Sequence, residues 1–476
     1  MKSSLFLSLL ACAGSFLGTL SVSGAAAKSV EGFKDKERVV FFGDSITHGG
    51  YYHSHALHVQ ALRHPSSKVY IYNGGISGGT SKGGFERIDY DILGKNPDRV
   101  FILFGMNDVG INLYNGKEDP KTLENRKVRL DNYRKNMTAC IEKILKAGKK
   151  VVLITPTPYD EYTASFKTRK WVGANEKGLT ACAKIVRELA AKYKLSVVEF
   201  HIPQTAIIRK GQGIFGRVDR VHPNSAGHYV MGAMLLEAMG EKPVEMKSTV
   251  SAKTGKFTAK NVKISNVKAA PGTVSFTYEG KVLPFLGDKF MKQAEAIYPV
   301  AKAFNNEKLS VTDLPAGKYE MICGGRFVGT FTEKQLSAGV DMSVLRTPAY
   351  LEGAKVASFN NRIRGIQSQL RGLVMMRNVA RNVFKGKPCT TMEQEFAALD
   401  LYLKKPHVKS SVYYKNMVAA FKKNRPNEES LKKDLESLFP KLYEAAAKKV
   451  AYPVVIRKAV VKAAAKAPAK KAAKAK

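Results

Sequence analysis

The chain reads as a doubly wound α/β domain, a three-layer sandwich around a five-stranded parallel sheet, followed by a small β-rich domain and a helical C-terminal region. Three observations predict this. Between Val39 and Gly240, short and nearly uninterrupted apolar runs alternate with helical patterns. Beyond about residue 246 apolar and polar residues alternate one by one, and from residue 348 the apolar spacing becomes helical. At 476 residues, 44% hydrophobic and 25% charged, the chain can build two or three cores, which excludes disorder throughout.

At the start, Met1-Lys2 leads into a largely apolar run from Leu5 to Leu20 and then to Ala25-Ala26-Ala27 before Lys28. This order predicts a secretory signal over 1–27, cut after Ala27, and an exported or periplasmic protein. A membrane anchor is the competing reading, but Ser and Gly interrupt the run and no second long apolar stretch follows. A lipoprotein cut before Cys12 has too short an apolar lead.

Residues 28–245 form the α/β domain. Val39–Phe42, Val69–Tyr72, Val100–Phe104, Val151–Ile154 and Ser196–Phe200 suit strands buried on both faces, with helices clearest at 122–148, 175–194 and 225–239. Residues 246–345 read as β-rich, with a hairpin turn at Gly324-Gly325 between Tyr319–Cys323 and Arg326–Val328. Residues 346–456 read as helical. Thr390-x-x-Glu393 starts one helix as a capping box, before Phe396, Leu399 and Leu403 on one face. Residues 457–476 hold almost only Ala, Lys and Val and no acid, which predicts a basic disordered tail.

Lys and Arg number 78 against 40 Asp and Glu, a formal charge of +38. Residues 246–476 carry 43 basic and 17 acidic side chains, so most of the excess lies in the C-terminal half. An anionic polysaccharide or envelope polymer is the expected partner of such a surface, and export argues against nucleic acid. Without Cys12, four cysteines remain: Cys140, Cys182, Cys323 and Cys389. Pairing within each region (140 with 182, 323 with 389) and buried free thiols are both open.

The chemistry concentrates in loops that a doubly wound sheet presents at its carboxyl edge. Gly43-Asp44-Ser45-Ile46-Thr47 follows the first strand and can project Ser45 as a nucleophile. A serine needs a base to take its proton and a third group to orient that base. Asp219-Arg220-Val221-His222 offers both within four residues. Acyl transfer also needs donors for the oxyanion, and Asn73–Thr80, rich in glycine, and Gly105-Met106-Asn107-Asp108 are two loops able to supply them.

These four blocks, Gly43-Asp44-Ser45, the glycines around Gly78, Gly105-x-Asn107-Asp108 and Asp219-x-x-His222, resemble in content and order those of the SGNH hydrolases, the GDSL esterases and lipases. The resemblance covers about 28–245 and implies the flavodoxin-like SGNH hydrolase fold. It implies Ser45 as nucleophile, His222 as base and Asp219 as its orienting carboxylate. Gly78 N–H, the Asn107 amide and Ser45 N–H would form the oxyanion hole, with no cofactor and no metal.

Gly75-Ile76-Ser77-Gly78-Gly79 also fits the G-x-S-x-G elbow of another hydrolase class, but the glycines after Ser77 make a poor helix start. His48, His53, His55, His58 and His64 crowd one segment, yet no Cys or Glu partner completes a zinc set, so partly exposed helix residues or substrate contacts are expected instead. Tyr51 and Tyr52 after the nucleophile loop, and Tyr159, Tyr162, Phe166 and Trp171 after the fourth strand, could stack on a sugar or merely pack their loops. Tyr51, Tyr159 and Trp171 are the chosen substrate contacts. The expected function is a secreted serine ester hydrolase that deacetylates carbohydrate. A lipase or thioesterase, and a non-catalytic polyanion-binding envelope protein, are the alternatives.

Overall fold

A computed structural model describes residues 29–163, 171–384 and 389–459. The predicted signal, Phe166 and all but the first three residues of the predicted basic tail lie outside the described residues. Five strands, β1 (Arg38–Gly43), β2 (Tyr70–Gly75), β3 (Arg99–Leu103), β4 (Lys150–Ile154) and β5 (Ser196–Val198), form a sheet in the order β2-β1-β3-β4-β5, every neighbouring pair parallel. Val39 to Phe42 and Val100 to Ile102 are fully buried, as their continuous apolar sequence requires of strands covered on both faces. Helices Tyr51–Arg63, Pro120–Lys146, Thr180–Tyr193 and Ser225–Ala238 provide that cover. The chain leaves β1 for β2 on one side and later returns to β3 on the other. The crevice at this reversal lies where the loops after β1, β2 and β3 meet.

The following region holds two more sheets. Strands β6 (Met246–Ser251), β7 (Phe257–Lys260), β10 (Glu307–Thr312) and β13 (Val340–Asp341) pair in the order β13-β10-β6-β7. Strands β8 (Val262–Ala270), β9 (Thr273–Gly280), β11 (Lys318–Cys323), β12 (Arg326–Thr332) and β14 (Ala451–Lys458) pair in the order β12-β11-β14-β9-β8. Gly324 and Gly325 have φ of +57° and +77°, the left-handed values that a two-residue hairpin turn demands.

β14 corrects the sequence reading, which placed 451–456 in a helical region and 457–458 in a tail. The segment is a strand between β9 and β11, with Tyr452, Val454 and Ile456 buried and the intervening residues turned outward. Its Val454-Val455-Ile456 run carried the strand signal, but the Ala/Lys-rich residues beside it hid the alternation. The capping-box reading shifts by one residue: Thr391, not Thr390, caps the helix Met392–Leu403 by accepting from Gln394 N–H at 3.3 Å, while Gln394 Oε1 accepts from Thr390 N–H at 2.9 Å. The proposed disulfides are absent: all four cysteines are free, with Cys140, Cys182 and Cys323 buried.

The C-terminal helices dock on the β2 edge of the parallel sheet. The 36-residue helix Pro348–Val383 lays Gln367 and Arg371 along β2. Gln367 Nε2 donates to Ile71 O at 3.0 Å, its Oε1 accepts from Asn73 N–H, and Arg371 Nε donates to Gly75 O at 2.8 Å. From the helix Glu428–Ala446, Tyr443 Oη accepts from Val69 N–H at 2.8 Å and donates to Val69 O at 3.0 Å. Side chains thus satisfy backbone groups that an open edge strand would leave for another chain to pair with.

Candidate active site

Ser45 opens the short helix Ser45–His48 directly after β1, and Asp44 caps it with a carboxylate that accepts from Ile46 N–H at 2.9 Å. Burial pushes the Asp44 carboxyl up to about 7, against the pull of that N–H, with Asp108 nearby adding to the rise. A Cβ on Gly43 would lie 2.5 Å from Thr47 Oγ1 and 2.6 Å from Leu103 O, so only glycine lets the chain turn this tightly against β3.

The second loop arrives from 177 positions away. His222 Nε2 is 2.8 Å from Ser45 Oγ, and His222 Nδ1 is 2.8 Å from Asp219 Oδ2. The other Asp219 oxygen accepts from Val221 and His222 N–H at 3.0 and 3.1 Å, which holds the carboxylate in a turn of its own making. Partial burial pushes the Asp219 carboxyl up, but His222 and the two backbone donors outweigh this and hold it below the usual range. It therefore stays ionised. Arg220, between them, has φ +58° and sends its guanidinium back to Asp160 O at 2.9 Å, which ties this turn to the loop after β4.

The two oxyanion candidates are cross-braced. Asn107 Nδ2 donates to Gly79 O at 2.9 Å, and Asp108 accepts from both the backbone and the hydroxyl of Ser81. Gly78 has φ +72°, and no atom lies within 4 Å of where its Cβ would be. Its glycine requirement is thus one of backbone conformation, and the open space around it is available to a ligand.

A cavity of about 550 Å³ opens beside Ser45 and His222. His48, Tyr51 and Ser77 line its near wall. The far wall comes from the helices Pro348–Val383 and Val412–Asn424, through Arg364, Gln369, Tyr413, Met417 and Phe421. Nothing in the sequence marks this second set: they are ordinary helix residues until β2 is seen to anchor the helix that carries Arg364 and Gln369.

Other sequence expectations are redistributed. Tyr51 faces the cavity, whereas Tyr159 is 1% exposed and packs on Trp171 at 5.5 Å, and neither of these two lines the cavity. Their rings fasten the loop instead of receiving substrate. Ser77 Oγ lies 2.9 Å from His48 Nδ1, which also accepts from Ser77 N–H at 3.0 Å. Burial, with Arg371 and Arg87 nearby, pushes His48 down to about 4, and among the described residues no carboxylate bonds it. Ser77 thus has a neutral histidine but no orienting acid. His53 and His58 are buried, His53 stacked on Phe41 at 5.1 Å and His58 against Phe285 at 4.4 Å, while His55 stacks on Tyr229 at 4.3 Å. These three serve the core rather than substrate. Among the described residues no three His, Cys, Asp or Glu side chains converge as a metal site.

Comparison with known proteins agrees with this geometry. Residues 41–230 match the GDSL-like Lipase/Acylhydrolase family. An acetylxylan esterase of Geobacillus stearothermophilus is 23% identical over 219 residues, 43% of this chain and 94% of that protein. An uncharacterized lipoprotein of Bacillus subtilis is 34% identical over 131 residues, 26% of this chain and 50% of that protein. Among solved structures, a gut microbial diltiazem-metabolizing enzyme aligns with a TM-score of 0.78 at 26% identity, over 91% of this chain and all of its own.

Proposed function

Because residues 41–230 belong to the GDSL-like lipase/acylhydrolase family and the chain is accordingly a serine ester hydrolase, we propose that it removes acetyl or similarly small acyl groups from carbohydrate outside the cytoplasm. The observation that carries the catalytic part is the single hydrogen-bonded line from Ser45 through His222 to Asp219. In this reading His222 Nε2 takes the Ser45 proton as Oγ bonds to the ester carbon, and the carbonyl oxygen becomes an oxyanion. Gly78 N–H, the Asn107 amide and Ser45 N–H receive that charge. Collapse breaks the bond to the alcohol, which leaves with the proton from His222. Water then repeats the sequence on the acyl-enzyme, and the acid departs.

Carbohydrate is supported by the acetylxylan esterase relative and by the polar side chains, among them Ser77, Arg364, Gln369 and Asn424, that line the cavity. Export is supported by the leader-like run before Lys28. The whole-chain likeness to a drug-metabolizing enzyme favours a second reading, a small ester in place of a polymer. Acetate release from a panel of acetylated polysaccharides, beside p-nitrophenyl acetate and longer-chain esters, decides between them, with Ser45→Ala as control. Release from a polymer that vanishes in the variant supports the first reading. Turnover of small acetates alone supports the second, and a preference for long chains would overturn both.

A further inference from the structure

Among the described residues that line the cavity beside Ser45, Arg364 is a cation that no described side chain neutralises. Arg364 lies across the Tyr51 ring, its guanidinium carbon 4.3 Å from the ring centre. This contact aims the planar group and leaves its edge N–H donors free. Among the described residues it has neither an ion-pair partner nor a hydrogen-bond acceptor, and no Asp or Glu lines the cavity. Arg371, one helical stretch further along, differs: it does not line this cavity and is buried, with both terminal nitrogens on Asp91 and Nε on Gly75 O. Arg364 is therefore not part of the brace that docks the helix.

The cavity has a second donor. The Ser77 backbone N–H can only donate, so its bond to His48 Nδ1 leaves the His48 proton on Nε2. That N–H has no partner among the described residues, and the ring faces the same cavity. Arg364, His48 and Gln369 thus present donors to a space without carboxylates. A half-buried guanidinium without a counter-ion is costly to maintain unless a ligand supplies one.

We infer that Arg364 is the specificity residue of this esterase and that its substrate carries an oxyanion, such as the carboxylate of a uronic acid, near the acyl group that Ser45 attacks. The inference rests on the ester-hydrolase reading above and narrows its substrate class. The Arg364 fork holds the anion, and the Tyr51 ring keeps the fork planar to it.

The test compares the full-length protein with Arg364→Gln on O-acetyl glucuronic acid and on its methyl ester, which differ only in the anion. The expected result is a wild-type preference of about 10- to 100-fold in kcat/KM for the acid, the value of a charge-assisted hydrogen bond, and near equality in Arg364→Gln. Arg364→Lys, which keeps the charge but not the fork, retains part of the preference. Each ratio is taken within one protein, so a general loss of folding or turnover cancels. A wild-type ratio near one, or a ratio unchanged in Arg364→Gln, overturns the proposal while leaving the esterase intact.

If neither sugar is deacetylated, inhibition of p-nitrophenyl acetate hydrolysis is read with glucuronate, methyl glucuronate and glucose 6-sulfate. Inhibition by an anion that disappears in Arg364→Gln supports the subsite and tells carboxylate from sulfate, and its absence overturns it. If p-nitrophenyl acetate is also refused, the esterase reading fails separately. Calorimetric titration with the same three compounds then judges the subsite alone: anion binding lost in Arg364→Gln supports it, and no anion binding overturns it.

Discussion

Ser45 and Ser77 face the same cavity and each touches a histidine, yet only one histidine is held by a carboxylate. That difference yields the first prediction. Ser45→Ala should lower kcat for p-nitrophenyl acetate by about 10⁴-fold or more, while Ser77→Ala keeps it within about tenfold. Asp219→Asn should cost about 10³-fold or more, because Asn cannot hold the imidazole in the tautomer that accepts the Ser45 proton. The measurement for all three is steady-state kinetics on protein whose circular dichroism matches wild type. Gly78→Ala is a finer test. The site has room for the methyl, but φ +72° is strained for alanine by about 1 kcal/mol or more, so the loop should shift and kcat fall without loss of folding. These residues were legible because each stands in a short motif whose spacing already implies its geometry. Tyr159 and Trp171 were misjudged because position after a strand says nothing about which way a ring turns.

At the scale of elements, the edge strand β2 depends on the side chains of Gln367 and Arg371, 294 to 296 positions from the groups they bond. Asp91 shows how tightly this is built: burial pushes its carboxyl up, but Arg371, Lys95 and Arg87 hold it well below the usual range. Arg371→Met should therefore lower stability by about 3 kcal/mol, since it removes two bonds from a buried carboxylate and one from Gly75 O, and a drop in the urea midpoint measures it. The same variant should lower kcat, because Gly75 leads into the loop that carries Gly78. In the β-rich region, Tyr278 Oη donates to Glu307 Oε1 at 2.9 Å, and burial pushes the Glu307 carboxyl up to about 7. In the unfolded chain it titrates near 4.5. Between these values the folded form holds a proton that the unfolded form has released, so stability falls as pH rises from about 4.5 to about 7. Glu307→Gln should flatten that fall, seen as a smaller difference in melting temperature between pH 5 and pH 8.

For the whole molecule, β14 returns after all the C-terminal helices to fill the gap between β9 and β11. Removing residues 451–476 should expose both neighbours and leave an aggregating or poorly cooperative protein, judged by solubility and by broadening of the thermal transition. Sequence periodicity told strands from helices but carried no record of this return, because pairing between distant strands leaves no local pattern. By itself the sequence determined the parallel sheet, the hairpin at Gly324-Gly325 and the line of Ser45, His222 and Asp219. In each, the deciding forces act within a few residues: continuous burial of a strand, a left-handed glycine pair, a carboxylate three residues from its histidine. Only the tertiary structure decided that helices from the C-terminal half wall the cavity and set Arg364 across Tyr51. The physical reason is that Gln367 and Arg371 bond to main-chain groups of β2 and Tyr443 to those of Val69 just before it, and a backbone N–H or C=O looks the same at every position of a sequence.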